Sequence, residues 1–298
     1  MDSGSNEVKA GSLSGKRCIV TGSTSGIGLE TTIGLAKLGG DIIMVGRSKE
    51  KCETVKNEIN VMTGNENISY EVADLSSMES VRNLAEKIRS TRSHIDILIN
   101  NAGGLFSRYT LTKDGFEKTI ALDYLSPVLL TRLLFPKLQS SGPARIINMG
   151  SSLHKSGKSD FDFKYTGPYR SMKAYSTSKL MITMFTYALA RRVKETSISA
   201  TLVEPGFVAT NLGKNSGSRI LSTSFGIMKP FQISAHEAAK TPIYLATYAT
   251  NKEVNGKCYS RLKEIQTSKI SYDEKVQEEL WKTTSNALGL PSDGIRSL

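Results

Sequence analysis

Residues 17–28 read Arg17-Cys18-Ile19-Val20-Thr21-Gly22-Ser23-Thr24-Ser25-Gly26-Ile27-Gly28, and this stretch decides the fold. Within the first five residues, Cys18, Ile19 and Val20 are apolar without alternation, as in a strand buried on both faces. A glycine-rich turn follows, and then an amphipathic stretch, GLETTIGLAKLG, opens as a helix. Gly22 permits a tight turn, Gly26 lets backbone approach a pyrophosphate, and Gly28 lets the helix pack on the strand. The helix start, with Ser23, Thr24, Ser25 and Ile27 around it, offers free N–H groups and a positive dipole end to an anion. A glycine string alone could be an empty loop; a strand before it and a helix after it are the context of a dinucleotide site.

Outward from this unit the same alternation repeats. DIIMVG, ISYEVA, IDILIN, ARIINMG and ISATLVE read as five further buried strands. SKEKCETVKNEIN, MESVRNLAEKIRS, DGFEKTIALDYLSPVLLTRLL and YSTSKLMITMFTYALARRVKE read as the helices between them. Apolar strands separated by helices give a parallel sheet covered on both faces, and right-handed crossovers make it a doubly wound, Rossmann-type α/β fold. No linker divides the chain. The expected organisation is a loose polar tail over residues 1–14 and one domain over 15–298, with an irregular lid at about 212–232 and a short helix after Tyr272.

The chain has 298 residues and a net charge of +11. With 39% apolar and 22% charged residues, it is too apolar and too weakly charged for a disordered chain. Cys18, Cys52 and Cys258 are too few and too scattered for a disulfide framework, and no His/Cys spacing suits a metal. The first fifteen residues lack the pattern of a signal or transit peptide, and no apolar run approaches the roughly 18 residues of a spanning helix. The positive charge therefore asks for a phosphate-bearing partner: nucleic acid, an acidic membrane or a nucleotide cofactor. No recognised nucleic-acid module and no aromatic–basic interleaving accompany it, so nucleic acid is not the expected partner.

The spacing of the glycine turn is GxxxGxG, and TGSTSGIG resembles the cofactor turn of the short-chain dehydrogenase/reductase family. At the end of the second strand an acidic residue would accept from both ribose hydroxyls of NAD. Arg47 stands there instead, with Ser48 and Lys49 beside it, a set suited to a 2′-phosphate. The expected cofactor is NADP(H) rather than NAD(H), although Arg47 could also be a solvated surface charge. Asp74 and Leu75, closing the third strand, resemble the family's adenine-holding pair. Asn100-Asn101-Ala102-Gly103, closing the fourth, resembles its NNAG motif, with Asn101, Ala102 and Gly103 as cofactor contacts.

Tyr175-Ser176-Thr177-Ser178-Lys179 is a YxxxK, which on a helix puts Tyr175 and Lys179 one turn apart on one face. A free tyrosine has a pKa of about 10, and a nearby ammonium favours the phenolate, so such a tyrosine can exchange a proton. The resemblance implies that Lys179 also holds the cofactor ribose and that Ser151, after the fifth strand, hydrogen-bonds the substrate oxygen. Ser152 is the alternative. No GxSxG elbow surrounds either serine, and His154 reads as a polar loop histidine.

The family usually has an asparagine on the helix before the fifth strand, which kinks the helix and helps hold a water of the proton relay. Alignment on VLLT puts Asp123 there. A buried aspartate is costly unless paired or protonated, so this departure implies an altered pH profile or weak activity. The expectation is that Asp123 still supports the water chain, with Pro127 supplying the helix irregularity. Glu204-Pro205-Gly206-Phe207-Val208-Ala209-Thr210 resembles the PGxVxT segment that closes over the nicotinamide, with Pro205, Gly206, Val208 and Thr210 as contacts; Pro205 and Gly206 also suit a plain strand-ending turn.

SKLMITMFTYALARRV, EPGFVATNL, SAHEAAKTPIYLAT and the segments NGKCYS and ELWKTTSNALGL resemble the retinol-dehydrogenase-like branch, across about residues 14–290. That implies hydride transfer to or from an apolar carbonyl or alcohol of retinoid, lipid or xenobiotic type. Ile220, Leu221, Phe225, Ile227, Met228 and Phe231 make the lid apolar, either to bind such a substrate or to pack it down. A second reading is an NADP(H)-binding regulatory or scaffold protein of the same fold with little turnover, which Asp123 encourages. By analogy with the family, helices at the fourth and fifth crossovers could form a homodimer. Membrane-anchored members carry an apolar N-terminal segment absent here, so the expected location is cytoplasmic, with peripheral membrane contact open. Between Lys137 and Lys194 eleven Lys or Arg face only Asp160 and Asp162. These are ordinary solvated charges or a positive field at the rim of the site.

Overall fold

The computed structural model describes residues 12–206, 208, 233–247, 251–292 and 295. A single sheet runs through them in the order β3-β2-β1-β4-β5-β6-β7-β8. The six long strands are β1 (Arg17–Thr21), β2 (Asp41–Gly46), β3 (Ile68–Val72), β4 (Ile97–Asn100), β5 (Arg145–Met149) and β6 (Ser199–Val203). All six are parallel, as the apolar runs predict. Chain direction reverses its walk between β1 and β4, and that switch opens a crevice at the carboxyl ends of the strands.

Within each strand neighbouring residues go to opposite faces. Ile19, Ile43, Leu98, Ile146 and Ala200 pack on one side with α3 (Met78–Thr91), α5 (Ser126–Gln139), α6 (Ser171–Arg192) and α9 (Glu274–Leu288). Cys18, Val20, Ile42, Met44, Ile99, Ile147 and Val203 pack on the other with α1 (Gly26–Lys37), α2 (Lys49–Thr63) and α7 (Ala235–Thr247). Both faces being covered is why the strands lack a polar alternation. Each buried Leu, Ile or Val side chain contributes on the order of 1.5–3 kcal/mol. Three helices start on polar side-chain caps: Ser48 and Ser77 accept the N–H groups of Lys51 and Ser80, and Asp273 accepts two at the start of α9.

Three features differ from the sequence expectation. Leu13, inside the stretch 1–14 read as a tail, is buried, and its N–H donates to Leu38 O. Two short strands were not anticipated: β7 (Cys258–Ser260), parallel to β6, and β8 (Lys263–Ile265), antiparallel to β7. Their hairpin turns on Arg261 and Leu262, both with positive φ, where Asn-Gly would have signalled it. The helix expected over 114–134 is broken. It comprises α4 (Lys118–Ile120), a π turn (Ala121–Leu125) and α5. Ser126 N–H reaches back to Ala121 O, and Pro127, with no N–H, leaves the carbonyl of Asp123 without its helical donor. The stretch 212–232, expected as a lid, lies outside the described residues, and α8 (Asn251–Val254) comes between α7 and β7 in the chain.

Candidate active site

Gly22 and Gly26 have φ of +65° and +56°, a region that only glycine enters at no cost. At Gly28 a Cβ would lie 2.3 Å from Gly22 O and 2.4 Å from Asn101 Nδ2. Three glycines therefore bring α1 down onto the turn with its first N–H groups free of intrahelical acceptors. Thr21 Oγ1 accepts the N–H groups of Asn101 (2.9 Å) and Ala102 (3.0 Å), and Asn101 Nδ2 donates to Thr21 O at 2.8 Å. The turns after β1 and β4 are thus one unit, which includes Gly103 against the Asp123 carboxylate. Ser23 is buried, donating to Val45 O, while Ser25 is exposed at the helix start and Ile27 packs on the core. Gly28→Ala is expected to destabilise the protein by about 1–3 kcal/mol, as overpacking of a filled site does; urea unfolding measures it.

Arg47 is exposed one residue beyond β2. Ser48 is occupied as the cap of α2 and donates to Glu50. Asp74 accepts both the N–H and the hydroxyl of Ser76. Burial pushes the Asp74 carboxyl up, but the Ser76 bonds and the Arg47 charge outweigh it and hold it below the usual range. Arg47 thus acts on the end of β3, where Leu75 is buried.

The reacting-type side chains meet beside this cradle. Lys179 Nζ lies 3.2 Å from Asp123 Oδ2 and donates to Met149 O at 3.2 Å. The ammonium sits 5.4 Å from the centre of the Tyr175 ring. Asp123 Oδ1 accepts the Gly104 N–H at 2.8 Å, so the π turn carries Asp123 onto the turn after β4. Asp123, Tyr175 and Lys179 are all buried. Burial raises the Tyr175 phenol; Lys179 pulls it back, Asp123 pushes it further up, and Ser151 lowers it. The net direction is upward. Burial also raises Asp123 by more than Lys179 lowers it. For Lys179, burial opposes the charge, but Asp123 and Tyr175 together hold its pKa above the ordinary lysine value. One ammonium is therefore shared between a carboxylate and a phenol. Ser151 is half-buried and Ser152 exposed at the start of a 3₁₀ turn (Ser152–Ser156).

Sequence reasoning missed the polar supports below this cluster. Asn100 donates to Asn148 and Thr131, and Asn148 donates to Thr186, all buried. An asparagine inside the apolar run RIINMG was the available signal. Glu117, fully buried, caps α4 and accepts from Thr119 and Tyr169. His154 corrects the reading of a loop histidine: it is 1% exposed and bonded at both ring nitrogens.

Pro205 and Gly206 (φ +82°) follow β6, and Val208 forms a parallel bridge with Ile233. Thr210 lies outside the described residues. The basic run is less bare than its composition suggests. Arg191 and Arg192 pair with Glu278 of α9, Lys173 with Asp160 and Lys179 with Asp123, while Lys155, Lys158, Lys164 and Arg170 remain exposed. Among the described residues no helix is long and apolar enough to cross a membrane.

Comparison with known proteins gives a consistent picture. The family profile described as short chain dehydrogenase matches residues 16–220. The chain is 37% identical to retinol dehydrogenase 13 of Homo sapiens over 290 residues, covering 95% of this chain and 88% of that protein. It is 34% identical to retinol dehydrogenase 12 of Mus musculus, covering 93% and 88%. Among solved structures, an uncharacterised protein from Mycobacterium paratuberculosis superposes with a TM-score of 0.77 at 25% identity, covering 95% of this chain and 96% of that one.

Proposed function

The chain belongs to the short-chain dehydrogenase family, in its retinol-dehydrogenase-like branch, and on that premise we propose that it is an NADP(H)-dependent reductase of apolar aldehydes and ketones in which Tyr175 transfers the proton. The family makes it an oxidoreductase of alcohol and carbonyl groups. The observation that carries this proposal is the buried group of Tyr175, Lys179 and Asp123, with half-buried Ser151 at its edge, beside the glycine cradle.

The cradle fits a dinucleotide: a side chain at Gly28 would collide with backbone, and the start of α1 points unpaired N–H groups at the phosphate position. Gly22, Ser23, Thr24, Ser25, Gly26, Ile27 and Gly28 would hold the pyrophosphate. Asp74, Leu75, Asn101, Ala102 and Gly103 would line the adenosine side. Pro205, Gly206, Val208 and Thr210 would lie along the nicotinamide, and Tyr175 and Lys179 at its ribose. When bound, the nicotinamide supplies or accepts the hydride. The protein supplies the rest. Ser151 Oγ and the Tyr175 hydroxyl orient the carbonyl oxygen, and Tyr175 gives its proton as charge develops there. Lys179 stabilises the phenolate left behind, and Asp123 holds Lys179 in place.

Two features support apolar substrates: the relatives are named for retinol, and the lid sequence at 212–232 is apolar. A panel of aldehydes headed by all-trans-retinal, followed by NADPH absorbance, tests the proposal. Cofactor binding without turnover across the panel would replace it with the regulatory reading. Arg47 is proposed to select the 2′-phosphate. Arg47→Asp is expected to raise the KM for NADPH by on the order of 10- to 100-fold, the loss of one charge-assisted contact, and to lower that for NADH. An unchanged ratio of the two KM values would show Arg47 to be a surface charge.

A further inference from the structure

The buried histidine behind Ser151 has no part in the chemistry above, yet every polar atom of its ring is committed. The Ser268 N–H points at His154 Nε2 from 3.0 Å. A backbone N–H can only donate, so Nε2 accepts and carries no proton. The ring proton is then on Nδ1, which lies 2.7 Å from Ser151 O. The same carbonyl accepts the His154 N–H at 3.0 Å, closing the 3₁₀ turn. Ser151 itself is extended, and its hydroxyl oxygen accepts the Leu153 N–H at 3.3 Å, which leaves the hydroxyl proton free to donate toward Tyr175 or a substrate oxygen.

We infer that His154, as the neutral Nδ1–H imidazole, is a positioning residue that locks the Ser151 carbonyl and thereby aims the Ser151 hydroxyl at Tyr175. The inference rests on the proposed role of Ser151. Two surroundings make this ring more than a space-filler. Glu204, at the end of β6, places Oε2 3.8 Å from Nδ1, beyond bonding range, and that oxygen has no hydrogen-bond partner among the described residues. It lies beside Nδ1 without competing for the bond to Ser151 O. Ser268 belongs to the segment after β8 that Thr267 ties to Tyr187 of α6. The ring therefore references Ser151 to the same helix that carries Tyr175, through a path outside the 3₁₀ turn. Gly157, which closes that turn on His154 O, has no room for a side chain: a Cβ would lie 2.5 Å from Ser176 O.

Asparagine and glutamine separate the two bonds. The Nδ2 of an asparagine falls where Nδ1 sits and can donate to Ser151 O. The polar end of a glutamine reaches the Nε2 position and can accept from Ser268 instead. With all-trans-retinal and NADPH, His154→Ala and His154→Gln are expected to lower kcat by about 10- to 100-fold, as misplacement of a reacting group does, with KM little changed. His154→Asn is expected to recover most of kcat. In a Ser151→Ala background, His154→Ala should add no further loss, because it acts through the serine. Amide exchange across residues 151–157 reads the same latch without turnover and should speed up in His154→Gln but not in His154→Asn. Equal behaviour of the Asn and Gln variants in exchange, or additive losses in the double variant, overturns the inference. A Ser151→Ala protein with intact turnover instead overturns the chemical reading on which it rests.

Discussion

Tyr175→Phe is expected to lower turnover of a carbonyl substrate by about 10³-fold, within the range that a positioned general acid supplies. The unfolding free energy should stay close to wild type, because the ring and its packing remain. The pH dependence is the sharper test. Burial, with Asp123 behind it, raises the Tyr175 phenol above the ordinary tyrosine value despite Lys179 and Ser151. In the proposed carbonyl reduction the protonated phenol would be the active form. A raised pKa keeps that form populated, so kcat/KM for reduction should stay level through neutral pH and decline only on the alkaline side. Alcohol oxidation needs the phenolate and should climb over the same range. Rates measured in both directions across pH decide the matter. A Phe variant that retains turnover would remove Tyr175 from the chemistry.

The parts of this molecule that could be read from sequence are those fixed by local rules. Six parallel strands followed from apolar runs without alternation, and the glycine turn from three glycines, two with positive φ and one, Gly28, with no room for a Cβ. Tyr175 and Lys179 share a face because a helix repeats every 3.6 residues. What was hidden depends on contacts distant in sequence. The β7–β8 pair is short and turns on Arg261 and Leu262, so no local signal marks it. His154 reads as a polar loop residue until Ser268, 114 positions away, comes to its Nε2. The charge on Arg191 and Arg192 looked like part of an exposed basic rim until Glu278 arrived from α9. Asp123 lies between these cases. Its position was given by alignment, but its partners, Lys179 and the Gly104 N–H, come from α6 and the turn after β4.

Asp123 has the second large expected effect, because on the proposed mechanism it would set how much of the Lys179 charge reaches Tyr175. A carboxylate 3.2 Å from the ammonium competes with the phenol for it. Other charges acting on this group are few: Glu117, at the start of α4, pushes Asp123 further up. Asp123→Asn keeps an oxygen for the Gly104 N–H and removes the negative charge. With Asp123 gone, Lys179 acts on Tyr175 unopposed and lowers its pKa. The pH limb of both reaction directions should therefore move toward acid: oxidation should gain several-fold at neutral pH, and reduction should begin to fall at lower pH than in the wild type. An unmoved pH profile would show that Asp123 has no part in tuning Tyr175. The complementary variant is Lys179→Met, which strands the carboxylate. Breaking a buried pair in this way costs about 3–5 kcal/mol, and the sign of its pH dependence follows from the same geometry. Without Lys179, burial and Glu117 act on Asp123 against the Gly104 N–H bond only, and raise its folded pKa further above the unfolded value. Between those two values the folded state binds the extra proton, so stability must fall as pH rises through that window and recover on acidification. Urea unfolding of Lys179→Met at several pH values, beside the wild type, should show the deficit shrinking toward acid; a deficit independent of pH would mean that Asp123 is not the group left unpaired.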